Sequence, residues 1–109
     1  MLMDIEGFLI VRSKVHHADD WDEFNRWYGE WHTPLACREL TGILHAWRLH
    51  DHTEPRHHIG VYAAGDLEAL QTEVAGEVGQ RLKDDYDGRW GERVSRTRDV
   101  ASIVDAWTP

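Results

Sequence analysis

The sequence predicts a single α+β domain, residues 1–109, with its elements in the order β-α-β-β-α-β. Three observations carry that reading. The chain opens on an almost wholly apolar stretch, Ile5 to Val11, which reads as a strand covered on both faces. Two later segments repeat aromatic and apolar residues at three- and four-residue spacing, the pattern of amphipathic helices. Short strand-like segments lie between these helices and after the second one.

Met1 to Val11 lacks a basic flank and a cleavage signal, so it reads as a strand and not as a signal peptide. Ser13 to Ala18 is expected to be a loop. Asp19 or Asp20 is the expected N-cap of the first helix, and Asp22 and Glu23 suit the positive end of its dipole. Trp21, Phe24, Tyr28, Trp31 and Leu35 form its apolar stripe, and Pro34 is expected to stop or kink it. After a turn at Leu40-Thr41-Gly42, Ile43 to His50 reads as a second strand. Ile43, His45, Trp47 and Leu49 share one face, and Leu44, Ala46, Arg48 and His50 the other. A polar loop with Pro55 leads to a third strand, His57 to Tyr62, antiparallel to the second. Asp66 caps a second helical region carrying Leu67, Leu70, Val74, Val78 and Leu82, with a break expected near Gly76 and Gly79. Asp84 to Gly91, with Tyr86 and Trp90, reads as a charged loop, and Arg98 to Ala106 as the last strand.

This order is the split βαβ, ferredoxin-like arrangement, an antiparallel four-stranded sheet with both helices on one face. The other face, holding Phe8 and Ile10, must be covered. A second copy is the simplest cover, so a homodimer, a dimeric α-β barrel, is expected.

The formal charge of −8, from 20 acidic and 12 basic residues, repels phosphate backbones, so no nucleic-acid partner is expected. Arg93, Arg96 and Arg98 are local basic spots without a long stripe. No apolar run approaches the ~18 residues of a membrane span. Cys37 stands alone, which leaves no internal disulfide, and it is expected to be a small buried hydrophobe. A cytoplasmic location and no membrane partner follow as expectations. Phosphate loops, dinucleotide fingerprints, nucleophile elbows and zinc spacings are missing from the sequence. His50 and His52, with Asp51 or Glu54, come nearest to a metal cluster; no metal and no cofactor are expected. Six tryptophans among three tyrosines and two phenylalanines suit a cavity that takes flat molecules, or a core and an oligomer interface.

The run Phe24-Asn25-Arg26-Trp27-Tyr28-Gly29-Glu30-Trp31-His32-Thr33-Pro34 resembles the helix-end signature of the EthD-like group of dimeric α-β barrel proteins. Trp27, Tyr28, His32 and Pro34 match it, while Gly29 and Trp31 replace the usual aspartate and glutamate. Thr41-Gly42-Ile43 stands in for that group's P-G-F turn, and Arg48 falls at its strand arginine. His57-Ile59-Val61-Tyr62 with Asp66 to Leu70, and Trp90 with Arg93, resemble further elements. The resemblance implies a small-molecule pocket. The wider superfamily spans muconolactone-type isomerases, polyketide cyclases, aldoxime dehydratases and quinol monooxygenases.

Three residues are candidates for chemistry. His32, near a helix end, has a side chain that accepts and donates protons near neutrality; the plainer alternative is a C-capping histidine. Arg48 offers a fork of donors for a carboxylate, phenolate or enolate; the alternative is a salt bridge across the sheet. Tyr62 could orient a carbonyl or donate a proton, or simply pack in the core. Phe8, Trp27, Tyr28, Leu44 and Trp90 are the expected substrate contacts. Strand alternation allows only one face of the second strand to line the cavity, and the resemblance selects the Arg48 face over His45 and Trp47. The expected function is a cofactor-independent acid–base enzyme of isomerase, cyclase or lyase/dehydratase type. Its substrate would be a small, largely apolar aromatic or polyketide-like carbonyl or phenol compound. The alternatives are a quinol-type cofactor-free monooxygenase and a non-catalytic binding or accessory protein.

Overall fold

The computed structural model describes residues 4–109. Strand β1 (Gly7–Val15) runs through the middle of an antiparallel sheet. It is flanked by β3 (His57–Ala64) and β4 (Val94–Ser102), with β2 (Ile43–His50) outside β3. The resulting order, β2-β3-β1-β4, is the ferredoxin-like topology. Helices α1 (Trp21–Trp27), α2 (Thr33–Glu39), α3 (Leu67–Ala75) and α4 (Glu77–Trp90) supply the helical layer. Met1 to Met3, the start of the expected first strand, lie outside the described residues.

Alternation decides which sheet face meets the helices. Leu9 and Val11, with Tyr62 and Ala64, bury against Ala36, Leu40, Leu70 and Leu82. Further along the same face, Val15 and Val94 meet Phe24, Tyr28, Tyr86 and Trp90. The opposite face carries Phe8, Ile10, Ile59 and Val61, with Trp47 and Leu49 close to half exposed.

Several sequence expectations change. Ser13 to Val15 continue β1 instead of entering a loop, because Ser13 and Val15 point inward and are buried. Asp20 takes the N-cap position of α1, as expected, but its side chain makes no cap bond and instead accepts from Arg93 at 3.3 Å. Pro34 does not end the first helical region. The chain widens into a π turn over Tyr28–His32, with the Thr33 N–H on the Tyr28 carbonyl, and α2 follows with Pro34 in its first turn. That widening absorbs the missing N–H and the ring clash a proline brings to an α-turn. The expected loop over Asp84 to Gly91 is helical through Trp90, because Leu82, Tyr86 and Trp90 all bury on one side of α4. The helix stops at Gly91, whose φ of +54° suits glycine. The last strand starts earlier than expected, at Val94.

Two expectations for the second helical region match, while one in β2 and one at Cys37 do not. The Asp66 carboxylate accepts the Ala69 N–H at 3.0 Å, and the second helical region breaks at Gly76. In β2 a bulge between Ile43 and His45 shifts the alternation, so Ile43, not Leu44, packs on the core beside Ala46. Cys37 is exposed, not buried. No helix among the described residues is long and apolar enough to cross a membrane.

Candidate functional site

The π turn sets His32 into the space between helices and sheet, where only 6% of the residue is exposed. The Trp27 ring stacks on it at 4.8 Å, and Tyr28 and Tyr86 meet it edge-on. Its Nδ1 lies 3.2 Å from an Asp85 carboxylate oxygen, and the other oxygen of Asp85 accepts from the Trp31 indole N–H at 3.1 Å. Burial pushes the His32 pKa below its ordinary value, the Asp85 carboxylate opposes that shift, and Arg96 adds to it. The imidazole is therefore neutral near pH 7. Assigned from its partner, the proton sits on Nδ1 and donates to Asp85, which leaves Nε2 with a free lone pair.

His32 lines a small cavity of about 20 Å³ between the sheet and helices α2 and α4, room for one water-sized molecule. Leu9, Val11, Ala36 and Leu82 make its apolar walls, and Tyr62 and Tyr86 add phenol rings. Lys83, Arg96 and Arg98 complete the lining. The Tyr62 hydroxyl donates to the Tyr28 hydroxyl at 3.2 Å, and the Tyr86 hydroxyl to Ser13 Oγ at 2.6 Å. Burial raises the pKa of all three phenols, so they remain protonated donors. A larger open groove of about 780 Å³ runs between α1 and α4 past Trp27, Trp31 and Asp85. Its other charged residues, Glu23, Arg26, Glu30, Asp84 and Arg89, are of both signs, and His32 is not part of its lining.

Arg48 does not join that cavity. It is exposed on edge strand β2, and its guanidinium donates to the Asn25 backbone carbonyl at 2.8 Å, the Asn25 side chain at 3.0 Å and His58 Nε2 at 3.1 Å. It therefore ties β2 to α1 above the Tyr28 ring. Gly29 makes this possible: a Cβ there would collide with Arg48 Nη1. Gly60 similarly leaves room for the Tyr28 hydroxyl.

Of the eight residues singled out from the sequence, His32 and Tyr62 meet in the cavity. Trp27 and Tyr28 touch them directly, and Trp90 lies behind in the aromatic cluster with Phe24 and Trp27. Arg48 belongs to the outer edge of that cluster. Phe8 is half-buried on the open sheet face, and Leu44 is exposed at the bulge. Asp85, Tyr86, Arg96 and Arg98 were not singled out. Asp85 and Tyr86 fell in a presumed loop. The two arginines looked like surface charge, although their spacing puts them in frame with Val94 and Val100 on β4.

No family model and no curated protein matches the chain. Solved structures do match. The monooxygenase ActVA-Orf6 of Streptomyces coelicolor, solved with nanaomycin D, aligns with a TM-score of 0.70 at 14% identity, over 98% of this chain and 95% of that one. The cofactor-independent oxygenase SnoaB of Streptomyces nogalater aligns at 0.67 and 13%, over 94% and 96%. An ethyl tert-butyl ether D family protein of Bacillus halodurans aligns at 0.63 and 17%, over 89% and 99%. The likeness is one of fold: a ferredoxin-like domain built on a four-stranded antiparallel sheet.

Proposed function

We propose that the chain is a cofactor-free oxygenase for a small, electron-rich aromatic phenol, with His32 as the base that starts the reaction. One observation carries this: a buried imidazole, neutral near pH 7 and held by Asp85, lines a cavity walled by apolar and phenol side chains. The base removes the proton of an anthrone-type phenol. The resulting anion passes an electron to dioxygen, the two radicals join in a C–O bond, and the peroxide loses water to leave a ring carbonyl. One oxygen atom stays in the product and the other leaves as water. A small, mostly apolar pocket beside the base suits that sequence, and Tyr62, which lines the same cavity, would turn its hydroxyl from Tyr28 to orient the substrate carbonyl. An aromatic ring needs more than 20 Å³, so on this reading the mouth side chains move aside when substrate binds. Two of the structural neighbours described above are oxygenases, which supports oxygen over other partners for the anion. Kinship with the EthD-like group is part of the proposal. It rests on Trp27, Tyr28, His32 and Pro34, and on the Bacillus halodurans protein.

The homodimer belongs to the same reading. Phe8, Ile10, Trp47, Leu49, Ile59 and Val61 form an apolar sheet face that a second copy would cover. Sedimentation of the protein as a monomer at micromolar concentration contradicts it.

The direct test is oxygen uptake with 1,8-dihydroxyanthrone. One dioxygen per quinone formed is expected, and His32→Gln should slow it by roughly 10²–10⁴-fold with an unchanged far-UV spectrum. Equal rates in both proteins refute the assignment. Turnover of a carbonyl or phenol substrate without oxygen uptake points instead to the isomerase, cyclase or dehydratase class, which the same base would serve.

A further inference from the structure

We infer that the substrate carries a carboxylate, and that Arg98, beside Arg96, seats it at the mouth of the His32 cavity. This rests on the proposed reading of that cavity as the substrate site, and it adds the chemical class of ligand.

The chain is strongly acidic, with a formal charge of −8. Yet the cavity lining holds three cations, Lys83, Arg96 and Arg98, and no carboxylate. Their position is not that of ordinary surface charge. Arg96 and Arg98 lie opposite Ser13 and Val11 across the β1–β4 ladder, on the face that meets the helices, while Thr97 and Asp99 take the other face. A strand that only needed solubility would turn its arginines outward, since burying a guanidinium costs solvation.

The two arginines differ in what holds them. Arg96 pairs with Asp87 at 3.2 Å and lies 4.3 Å over the Tyr86 ring, its side chain 12% exposed. Arg98 has no carboxylate partner among the described residues. Its hydrogen bond is a long one, 3.4 Å, to the Gly79 carbonyl. Burial and the neighbouring Arg96 both lower its pKa, and Asp87 offsets them in part. A half-buried guanidinium that spends only one of its five donors on the protein, next to a second one already fixed, can offer the rest to an anion. A planar carboxylate matches that fork. Seated there, it would turn the attached ring inward toward His32 and Tyr62, fixing the reacting proton against the base. An acidic protein also needs such a local positive mouth to draw in an anionic substrate.

The test compares three probes by calorimetric titration at pH 7: 2-naphthol, 3-hydroxy-2-naphthoate and benzoate. Wild-type protein should bind 3-hydroxy-2-naphthoate at least tenfold more tightly than 2-naphthol. Arg98→Gln should cut that preference to threefold or less and leave 2-naphthol unchanged. Raising sodium chloride from 50 to 500 mM should weaken the two carboxylates only. A wild-type preference below threefold overturns the inference even if the variant proves unstable, and so does a preference that survives Arg98→Gln. Failure of the oxygenase reading looks different. Carboxylate preference that depends on Arg98, with no His32-dependent oxygen uptake, keeps the anion seat and removes the oxygenase. His32-dependent uptake without carboxylate preference does the reverse.

Discussion

Acidification should destabilise this protein well before its carboxylates titrate, and His58 is the cause. The His58 ring is fully buried, wedged 4.2 Å from the Tyr28 ring and 5.6 Å from Phe24. Its Nε2 accepts from Arg48 Nε at 3.1 Å, so its proton sits on Nδ1, a buried atom without a partner. A second proton would have to face the Arg48 donor. Burial first, then the charges of Arg48, His50 and His32, push its pKa down to about 3 from 6.5. Above pH 6.5 the ring is neutral whether the chain is folded or not, and the stability is fully present. As the pH falls below 6.5 the unfolded chain takes up the proton and the folded chain does not, so stability is lost progressively down to about pH 3. At pH 5 the unfolded ring is about 1.5 units past its midpoint, which at ~1.36 kcal/mol per unit is a loss of about 2 kcal/mol. For a domain of this size that lowers Tm by roughly 8 °C.

The assay is urea unfolding at pH 7, 6 and 5 for wild type and His58→Gln. Glu23 and Asp51 have lowered pKa values, from 4.5 and 3.8, so their contributions are lost only below this window. His32 shifts in the same direction as His58 and remains in both proteins. The variant should start less stable, having lost the fit of the ring, but should lose about 2 kcal/mol less between pH 7 and 5. Equal losses in the two proteins refute the reasoning.

Further predictions come from close contacts. Gly29→Ala drives its new methyl into the end of a flexible arginine, so Arg48 should swing off Asn25 and His58 at a cost of about 1–2 kcal/mol, read by urea midpoint. Gly60→Ala meets the rigid, fully buried Tyr28 ring instead and should cost more, up to ~3 kcal/mol; the reverse ranking contradicts this. Tyr86→Phe strips the 2.6 Å bond from buried Ser13 and should cost about 1–2 kcal/mol in the same assay.

What the sequence could and could not show follows from the range of each interaction. The alternation of β1 and the Asp66 cap depend on residues within a few positions, and the structure matches them, whereas the bulge between Ile43 and His45 breaks the alternation of β2. The π turn is also local, but Pro34 alone admits two outcomes, a helix end or a widened turn, and only the packing of His32 and Ala36 beneath the helix selects the second. The α4 error has the opposite cause. Asp84, Asp85, Asp87, Gly88 and Arg89 are poor or charged residues for a helix interior, yet Leu82, Tyr86 and Trp90 bury one turn apart and outweigh them. Once that segment is helical, Asp85 falls one residue before buried Tyr86, within reach of His32, which lies 53 positions away in the chain. A partner at that separation leaves no local trace, so the His32–Asp85 pair is half legible: the histidine from its helix end, the carboxylate not at all. The arginines were legible in principle. Val94, Arg96, Arg98 and Val100 alternate with Ser95, Thr97 and Asp99, and two valines in frame with two arginines mean either outward valines or inward arginines. The structure takes the second option. Of the two, Arg96 meets the Asp87 carboxylate and Arg98 meets none among the described residues, so on the reading proposed above it is Arg98 that would seat an anion.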